Sequence, residues 1–122
     1  MIEKPKTLIL GATTNPNRYA YLAAEALHKK SFPFVLVGIK EGNVFEQPIQ
    51  ASIPEDEEID TVTLYVGAKN QEDWQEKIKK LKPRRVIFNP GAENPPFAHE
   101  LEQAGIEVLE ACTLVMLSTK QY

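Results

Sequence analysis

The sequence predicts a single α/β domain: a doubly wound, Rossmann-like fold with a mostly parallel five-stranded sheet and helices on both faces. Two observations lead to this class. Strand-like and helix-like segments alternate along the chain, and several strand segments are apolar at every position, as strands buried on both faces are. A chain of 122 residues has the length of one domain, so we expect residues 1–122 to form one unit.

Five short segments have the composition of strands. Each is rich in Val, Ile, Leu or aromatic residues, which suit a pleated, buried surface. The runs Phe34-Val35-Leu36-Val37 and Val86-Ile87-Phe88 are continuous rather than alternating, which favours a parallel sheet. The predicted strands are 7–10, 34–38, 61–66, 85–88 and 106–109.

Three segments carry apolar residues at helical spacing, namely 19–27, 74–81 and 97–104. Pro83 and Gly105 predict the ends of the second and third helices.

The start of the first helix has two candidate caps. Asn15 precedes Pro16, which predicts an N-cap with proline at the first helical position, and Asn17 is the alternative. No helical pattern occupies 39–60, where Gly42-Asn43 predicts a turn and 54–60 an acidic surface loop.

Composition and charge disfavour several function classes. The net charge of −3 is not that of a nucleic-acid-binding protein, and the one basic cluster is interpreted as a solvated helix end. No apolar run approaches 18 residues, so we expect no membrane span. A single cysteine, Cys112, suits a reducing cytoplasm, and two distant histidines with one cysteine do not predict a metal site. The basic cluster comprises Lys77, Lys79, Lys80, Lys82, Arg84 and Arg85.

The stretch 11–18, G-A-T-T-N-P-N-R, follows the first predicted strand and could hold a phosphate. Gly11 allows a tight turn and close approach of a ligand. Thr13 and Thr14 supply hydroxyl groups, and Arg18 supplies a guanidinium that suits phosphate. An ordinary strand-to-helix turn with a surface arginine explains the same residues, and the residues alone leave both interpretations open.

Two further strand ends would lie at the same edge of the sheet, where ligands bind in this fold class. After the second strand stand Gly38, Ile39 and Lys40, and a lysine suits an extra ribose phosphate better than a free diol. After the fourth strand stand Asn89-Pro90-Gly91-Ala92-Glu93-Asn94, in which Gly91 allows close backbone approach.

Together these stretches resemble the family of small stand-alone CoA-binding domains, which is similar to the CoA-binding Rossmann domain of the succinyl-CoA synthetase α-subunit. The resemblance covers about 6–117, and its most specific part is Pro90-Gly91-Ala92-Glu93-Asn94. It implies a coenzyme A or acyl-CoA ligand across the carboxyl edge of the sheet. The implied cofactor-binding residues are Gly11, Ala12, Thr13, Thr14, Arg18, Gly38, Lys40, Tyr65, Val66, Asn89, Pro90 and Gly91.

The sequence departs from the family pattern at three positions. Thr13 stands where the family usually has serine, Gly38-Ile39 where it has Asn-Pro, and Asn89 where it commonly has glutamine. Two competing functions therefore stay open beside CoA binding. One is a nucleotide-binding subunit, of NAD or sugar-nucleotide type, of a larger enzyme. The other is a degenerate scaffold that acts through protein–protein contacts.

No set of residues predicts catalysis. His28 and His99 are interpreted as surface residues, and Cys112 as a small buried hydrophobe, with a reactive thiol near that of CoA as the alternative. We therefore expect a non-catalytic, cytoplasmic protein with a small-molecule CoA ligand, no nucleic-acid partner and no membrane partner. Whether it forms a homodimer or joins another protein stays open.

Overall fold

Strands that are buried at every residue occupy the centre of one mixed sheet. The structure, a computed structural model, describes residues 4–122. The strand order is β3-β4-β2-β1-β5-β6-β7, and within the described residues only β3 runs antiparallel to its neighbour. All four residues of β1, β2, β5 and β6 are buried, as the continuous apolar runs predict. The strands are β1 (Thr7–Leu10), β2 (Phe34–Val37), β3 (Asn43–Val44), β4 (Gln47–Gln50), β5 (Thr61–Leu64), β6 (Arg85–Phe88) and β7 (Glu107–Glu110).

Helices cover both faces of this sheet. The faces pack as two separate cores, one with Ile78, Phe97 and Leu101 against the sheet and the other with Leu27 and Leu117. These residues place α2 and α3 on one face and α1 and α4 on the other. The doubly wound α/β class is therefore confirmed. The helices are α1 (Tyr19–Lys29), α2 (Glu72–Leu81), α3 (Pro95–Gln103) and α4 (Thr113–Ser118), with a 3₁₀ helix at Ala68–Asn70.

The sheet has seven strands rather than the predicted five, because 39–60 contributes a hairpin. β4 pairs in parallel with β2 through two residue pairs, Leu36 with Ile49 and Val37 with Gln50. Its sequence, Gln47-Pro48-Ile49-Gln50, is mostly polar and contains a proline, as strands near a sheet edge can. β4 lies next to the edge strand β3, where little apolar sequence is needed, so its composition gave no signal.

One prediction about the helices was wrong, and one helix was missed. The N-cap of α1 is Arg18, not Asn15 or Asn17. Asn15 instead forms a local turn, in which its side-chain oxygen accepts a hydrogen bond from the Asn17 amide at 3.0 Å and its carbonyl accepts one from the Arg18 amide at 3.1 Å. The short helix α4 was not predicted, since six residues are too few for a helical repeat to be recognised.

Arg85 was wrongly grouped with the solvated basic cluster. It is the first residue of β6 and only 5% exposed. Its Nε donates a hydrogen bond to the Thr61 hydroxyl at 2.8 Å, and its guanidinium lies 4.4 Å from the centre of the Tyr122 ring. The residue therefore belongs to the packing at the amino edge of the sheet.

Candidate functional site

A cleft of about 740 Å³ runs along the carboxyl edge of the sheet. Since β2, β1, β5 and β6 are neighbouring parallel strands, the loops that follow them open onto the same edge. The cleft extends from the loop after β2 to the loop after β6. It is therefore the place where a ligand is expected in this fold.

Two glycines let the backbone form the floor of the cleft. Gly11 has a φ of +98°, and a Cβ there would lie 3.0 Å from Val66 Cγ2 and 3.2 Å from the Tyr65 carbonyl oxygen. A Cβ on Gly38 would lie only 2.6 Å from the Ala12 carbonyl oxygen, which is backbone and cannot rotate away. A larger residue at either position would push the strand-end loops apart.

The turn after β1 is held by the neighbouring strand. The amides of Gly11 and Ala12 both donate to the Val37 carbonyl, at 2.9 and 3.0 Å. These two N–H groups are therefore not free for a ligand. Thr13 accepts a hydrogen bond from the Asn15 amide at 3.1 Å through its hydroxyl oxygen, which leaves the hydroxyl hydrogen free to donate.

The amino terminus of α1 also lies on the cleft. Tyr19 and Ala20 line it, and among the described residues no side chain caps this helix. The first-turn N–H groups and the positive end of the helix dipole favour an anion here. Arg18, which is exposed, adds a guanidinium at the same end.

The charges around the cleft are mostly positive although the whole chain is acidic. Three cationic residues line it, Arg18, Lys40 and Lys69, against one carboxylate, Asp73. The net charge of the chain is −3. The local arrangement therefore suits an anionic ligand that the chain as a whole would not attract.

The structure brings most of the predicted site residues together. Ten of them line this one cleft: Gly11, Ala12, Thr13, Arg18, Gly38, Lys40, Tyr65, Val66, Pro90 and Gly91. Their contact with a ligand stays a prediction, but their positions agree with it.

Thr14 and Asn89 lie elsewhere. The methyl group of Thr14 occupies the space beside Gly42, where a Cβ would be 2.4 Å away, so Thr14 packs the turn after β1 against the loop after β2. Asn89 is 2% exposed and points into the molecule. Its Nδ2 donates to the Thr63 hydroxyl at 2.6 Å and the Leu64 carbonyl at 2.9 Å, while its Oδ1 accepts from the Thr113 amide at 2.9 Å.

Sequence reasoning missed one wall of the cleft. Lys69, Asn70, Asp73 and Trp74 line it from the 3₁₀ helix and the start of α2. Trp74 was interpreted as a core position, and it does pack against the core while it is only half-buried. The order of elements could have predicted this wall, because a helix that follows β5 must begin at the carboxyl edge of the sheet. Tyr19 and Ile39 are exposed apolar residues that line the cleft on the side opposite α2. They were not among the predicted cofactor-binding residues.

Tyr65 lines the cleft, but its hydroxyl is buried inside the molecule. Burial raises the pKa of Tyr65 to about 12, and the nearby Thr113 and Thr63 hydroxyls counteract this only in part. Its hydroxyl is buried and has no hydrogen-bond partner among residues 4–122. Near neutral pH the phenol is therefore neutral.

Comparison with known families identifies the domain. A family model described as the CoA binding domain matches residues 5–118, which is nearly the whole chain. The chain belongs to this CoA-binding domain family. The resemblance drawn from 6–117 is thus confirmed.

Solved structures share the fold of this chain. The chain is 49% identical to an uncharacterized protein of known crystal structure, with a TM-score of 0.96 and coverage of 99% of this chain and 100% of that one. It is 22% identical to cell-free ID.343 from Thermus thermophilus, with a TM-score of 0.86 over 98% of this chain and 91% of that one.

The same fold also occurs within larger proteins. It matches 26% of dinucleotide forming acetyl-coenzyme A synthetase 1 from Ca. Korarchaeum cryptofilum, over 89% of this chain, at a TM-score of 0.73 and 11% identity. No curated protein matches the chain. In the part of the chain that the structure describes, no helix is long and apolar enough to cross a membrane.

Proposed function

We propose that the chain binds coenzyme A or an acyl-CoA in the carboxyl-edge cleft. The observation that carries the proposal is the cleft itself, which combines an extended shape with three cationic residues and the amino terminus of α1. Membership of the CoA-binding domain family supports the identity of the ligand. The occurrence of the fold within an acetyl-coenzyme A synthetase supports it only at the level of fold.

Each part of the ligand has a proposed place. Arg18 and the start of α1 hold the pyrophosphate, since a guanidinium and free helical N–H groups both suit phosphate oxygens. Lys40, in the loop after β2, holds the 3′-phosphate of the ribose. The pantetheine arm then runs past the ends of β5 and β6, along Val66 and Gly91.

The protein is proposed to do no chemistry alone. His28, His99 and Cys112 are outside the set of residues that line the cleft. His28 stacks on Phe45 with 4.9 Å between ring centres, and His99 is exposed on α3. The titratable acids on the cleft are Asp73, Tyr19 and Tyr65. Among residues 4–122 none of them is paired with a basic group that would make it a nucleophile or a general base. This supports a role in carrying, sensing or presenting the cofactor.

Removal of the two cations should weaken binding in different ways. Arg18→Ala is expected to raise the Kd for CoA and for 3′-dephospho-CoA alike, by about ten- to a hundredfold, because a charge-assisted phosphate contact contributes about 1.5–3 kcal/mol. Lys40→Ala is expected to raise the Kd for CoA and to leave that for 3′-dephospho-CoA nearly unchanged. Isothermal titration calorimetry measures all four values.

Lys29→Ala is the matched control, because Lys29 is exposed in the last turn of α1, at the other end of that helix. It should change neither affinity. An equal loss for both ligands in the Lys40 variant would place the 3′-phosphate elsewhere. Tighter binding of NAD than of CoA by the wild type would favour a dinucleotide-binding subunit, and no binding of either would favour a scaffold.

A further inference from the structure

One buried amide side chain bridges two loops of the cleft. Gln71 has no exposed surface and precedes α2. Its Nε2 donates hydrogen bonds to the Val66 carbonyl at 2.8 Å and to the Ala92 carbonyl at 2.7 Å. Val66 follows β5 and Ala92 follows β6, so one side chain joins the ends of two neighbouring strands.

The hydrogen bonds fix the orientation of this amide. Gln71 Oε1 accepts a hydrogen bond from Asn94 Nδ2 at 2.9 Å, and Asn94 Oδ1 accepts one from the Phe97 amide at 3.3 Å. If the Gln71 amide were turned over, its oxygen would face two carbonyls and its nitrogen would face another donor. Only one arrangement satisfies all these groups, and it links the loops to the start of α3.

The bridged loops form one end of the cleft wall. Val66, Gly67, Gly91 and Ala92 line the cleft. A Cβ on Gly67 would lie 3.9 Å from the Gly91 carbonyl oxygen, so the two loops come close together. Both loops carry glycine at this point, so neither Gly67 nor Gly91 places a side chain between them. The two hydrogen bonds of the Gln71 amide link these loops directly, beyond the last paired residues of β5 and β6.

Lys40 lies at the opposite end of the cleft. Strand β1 separates β2, which precedes Lys40, from β5, which precedes Val66. Since neighbouring strands lie about 4.8 Å apart, these strand ends are about 10 Å apart. A change at Gln71 therefore acts on one end of an extended ligand.

We propose that Gln71 is a positioning residue that sets the spacing of the loops at 66–67 and 91–92 and so governs affinity for the pantetheine arm of CoA. It does not contact the ligand itself. The inference rests on the proposed function, because it assigns the arm to the end of the cleft that is remote from Lys40.

The test separates the two halves of the ligand. Gln71→Met keeps the length of the side chain and removes both donors and the acceptor. Calorimetric titration with CoA and with 3′,5′-ADP, which lacks the pantetheine arm, is expected to show a Kd for CoA raised by about tenfold or more, while the Kd for 3′,5′-ADP changes by less than about twofold. A general loss of structure would weaken both ligands.

Two further variants complete the experiment. Ile106→Ala removes a buried side chain that precedes β7, at the amino edge of the sheet, and should lower stability without changing the ratio of the two affinities. Gln71→Glu keeps the acceptor for Asn94 and, when its carboxyl is protonated, donates to one of the two carbonyls. Titrated at about pH 5, where a buried carboxyl is protonated, it should give a smaller selective loss than Gln71→Met, and it provides the test if the Met variant does not fold.

An unchanged affinity for CoA in either folded Gln71 variant, or an equal loss for CoA and 3′,5′-ADP, overturns the assignment of Gln71. A wild type that binds CoA no more tightly than 3′,5′-ADP overturns it too, because the arm would then make no contact. Failure of the wild type to bind either ligand would instead overturn the proposed function, and the inference with it.

Discussion

Replacement of Asn89 with leucine is expected to lower the free energy of unfolding by about 3 kcal/mol, because it leaves buried groups without partners. The Thr113 amide loses its acceptor and the Leu64 carbonyl loses one donor, and both residues are fully buried. Thr63 and Thr113 keep the hydrogen bond between their hydroxyls at 2.7 Å. The loss is large beside the total stability of a domain, about 5–15 kcal/mol.

Urea unfolding followed by circular dichroism measures this loss. The matched control is Asn43→Ala, since Asn43 is an exposed asparagine on the edge strand β3. The control should change the unfolding free energy by less than about 0.5 kcal/mol. A loss below about 1 kcal/mol for Asn89→Leu would contradict the structural role assigned to Asn89, and would reopen its predicted role in ligand binding.

Substitution of Gly38 by alanine is expected to damage both stability and CoA binding. The new Cβ would lie 2.6 Å from the Ala12 carbonyl oxygen, so the turn after β1 must move outward. Overpacking of this kind costs about 1–3 kcal/mol. Because the displaced turn carries Thr13 and leads to Arg18, we expect the Kd for CoA to rise by about tenfold or more.

Gly105→Ala provides the matched control for this variant. Gly105 has a φ of +83° and no atom within 4 Å of an added Cβ, so alanine there causes backbone strain of about 1–2 kcal/mol without steric contact. It follows α3, away from the cleft. Calorimetry on both variants, at a temperature where both are folded, should show weaker CoA binding for Gly38→Ala alone. Equal affinities would mean that the turn after β1 does not contact the ligand.

The central sheet could be predicted from the sequence because burial on both faces leaves continuous apolar runs. β1, β2, β5 and β6 were found in this way, although two of the predicted ends extended one or two residues too far. The hairpin of β3 and β4 was missed, because β3 has only two residues and β4, next to the edge of the sheet, is mostly polar and contains a proline. Once the strands were predicted to be parallel, the loops that follow them were expected to meet at the carboxyl edge.

The site could be predicted where the backbone requires glycine. It could not be predicted where a side chain could point either into the cleft or into the core. Positions 11 and 38 require glycine because neighbouring backbone or side-chain atoms come too close for a Cβ, and both positions line the cleft. Asn89 also directly follows a strand, but its hydrogen-bond partners lie inside the molecule. Only the contacts with Thr63 and Thr113 in the structure show this. Gln71 gave no signal, because an isolated glutamine before a helix is usually exposed.

The central claim is that CoA binds along the carboxyl edge of the sheet, and titration of the ¹⁵N-labelled protein with CoA tests it most directly by NMR. Glycine amides serve as markers, since Gly11, Gly38, Gly67 and Gly91 line the cleft and Gly105 does not. We expect the four cleft resonances to shift with one shared Kd in the micromolar range, which corresponds to a binding free energy of about −8 kcal/mol. The resonance of Gly105 should not shift. Shifts centred on Gly105, or no shifts at millimolar CoA, would contradict the claim.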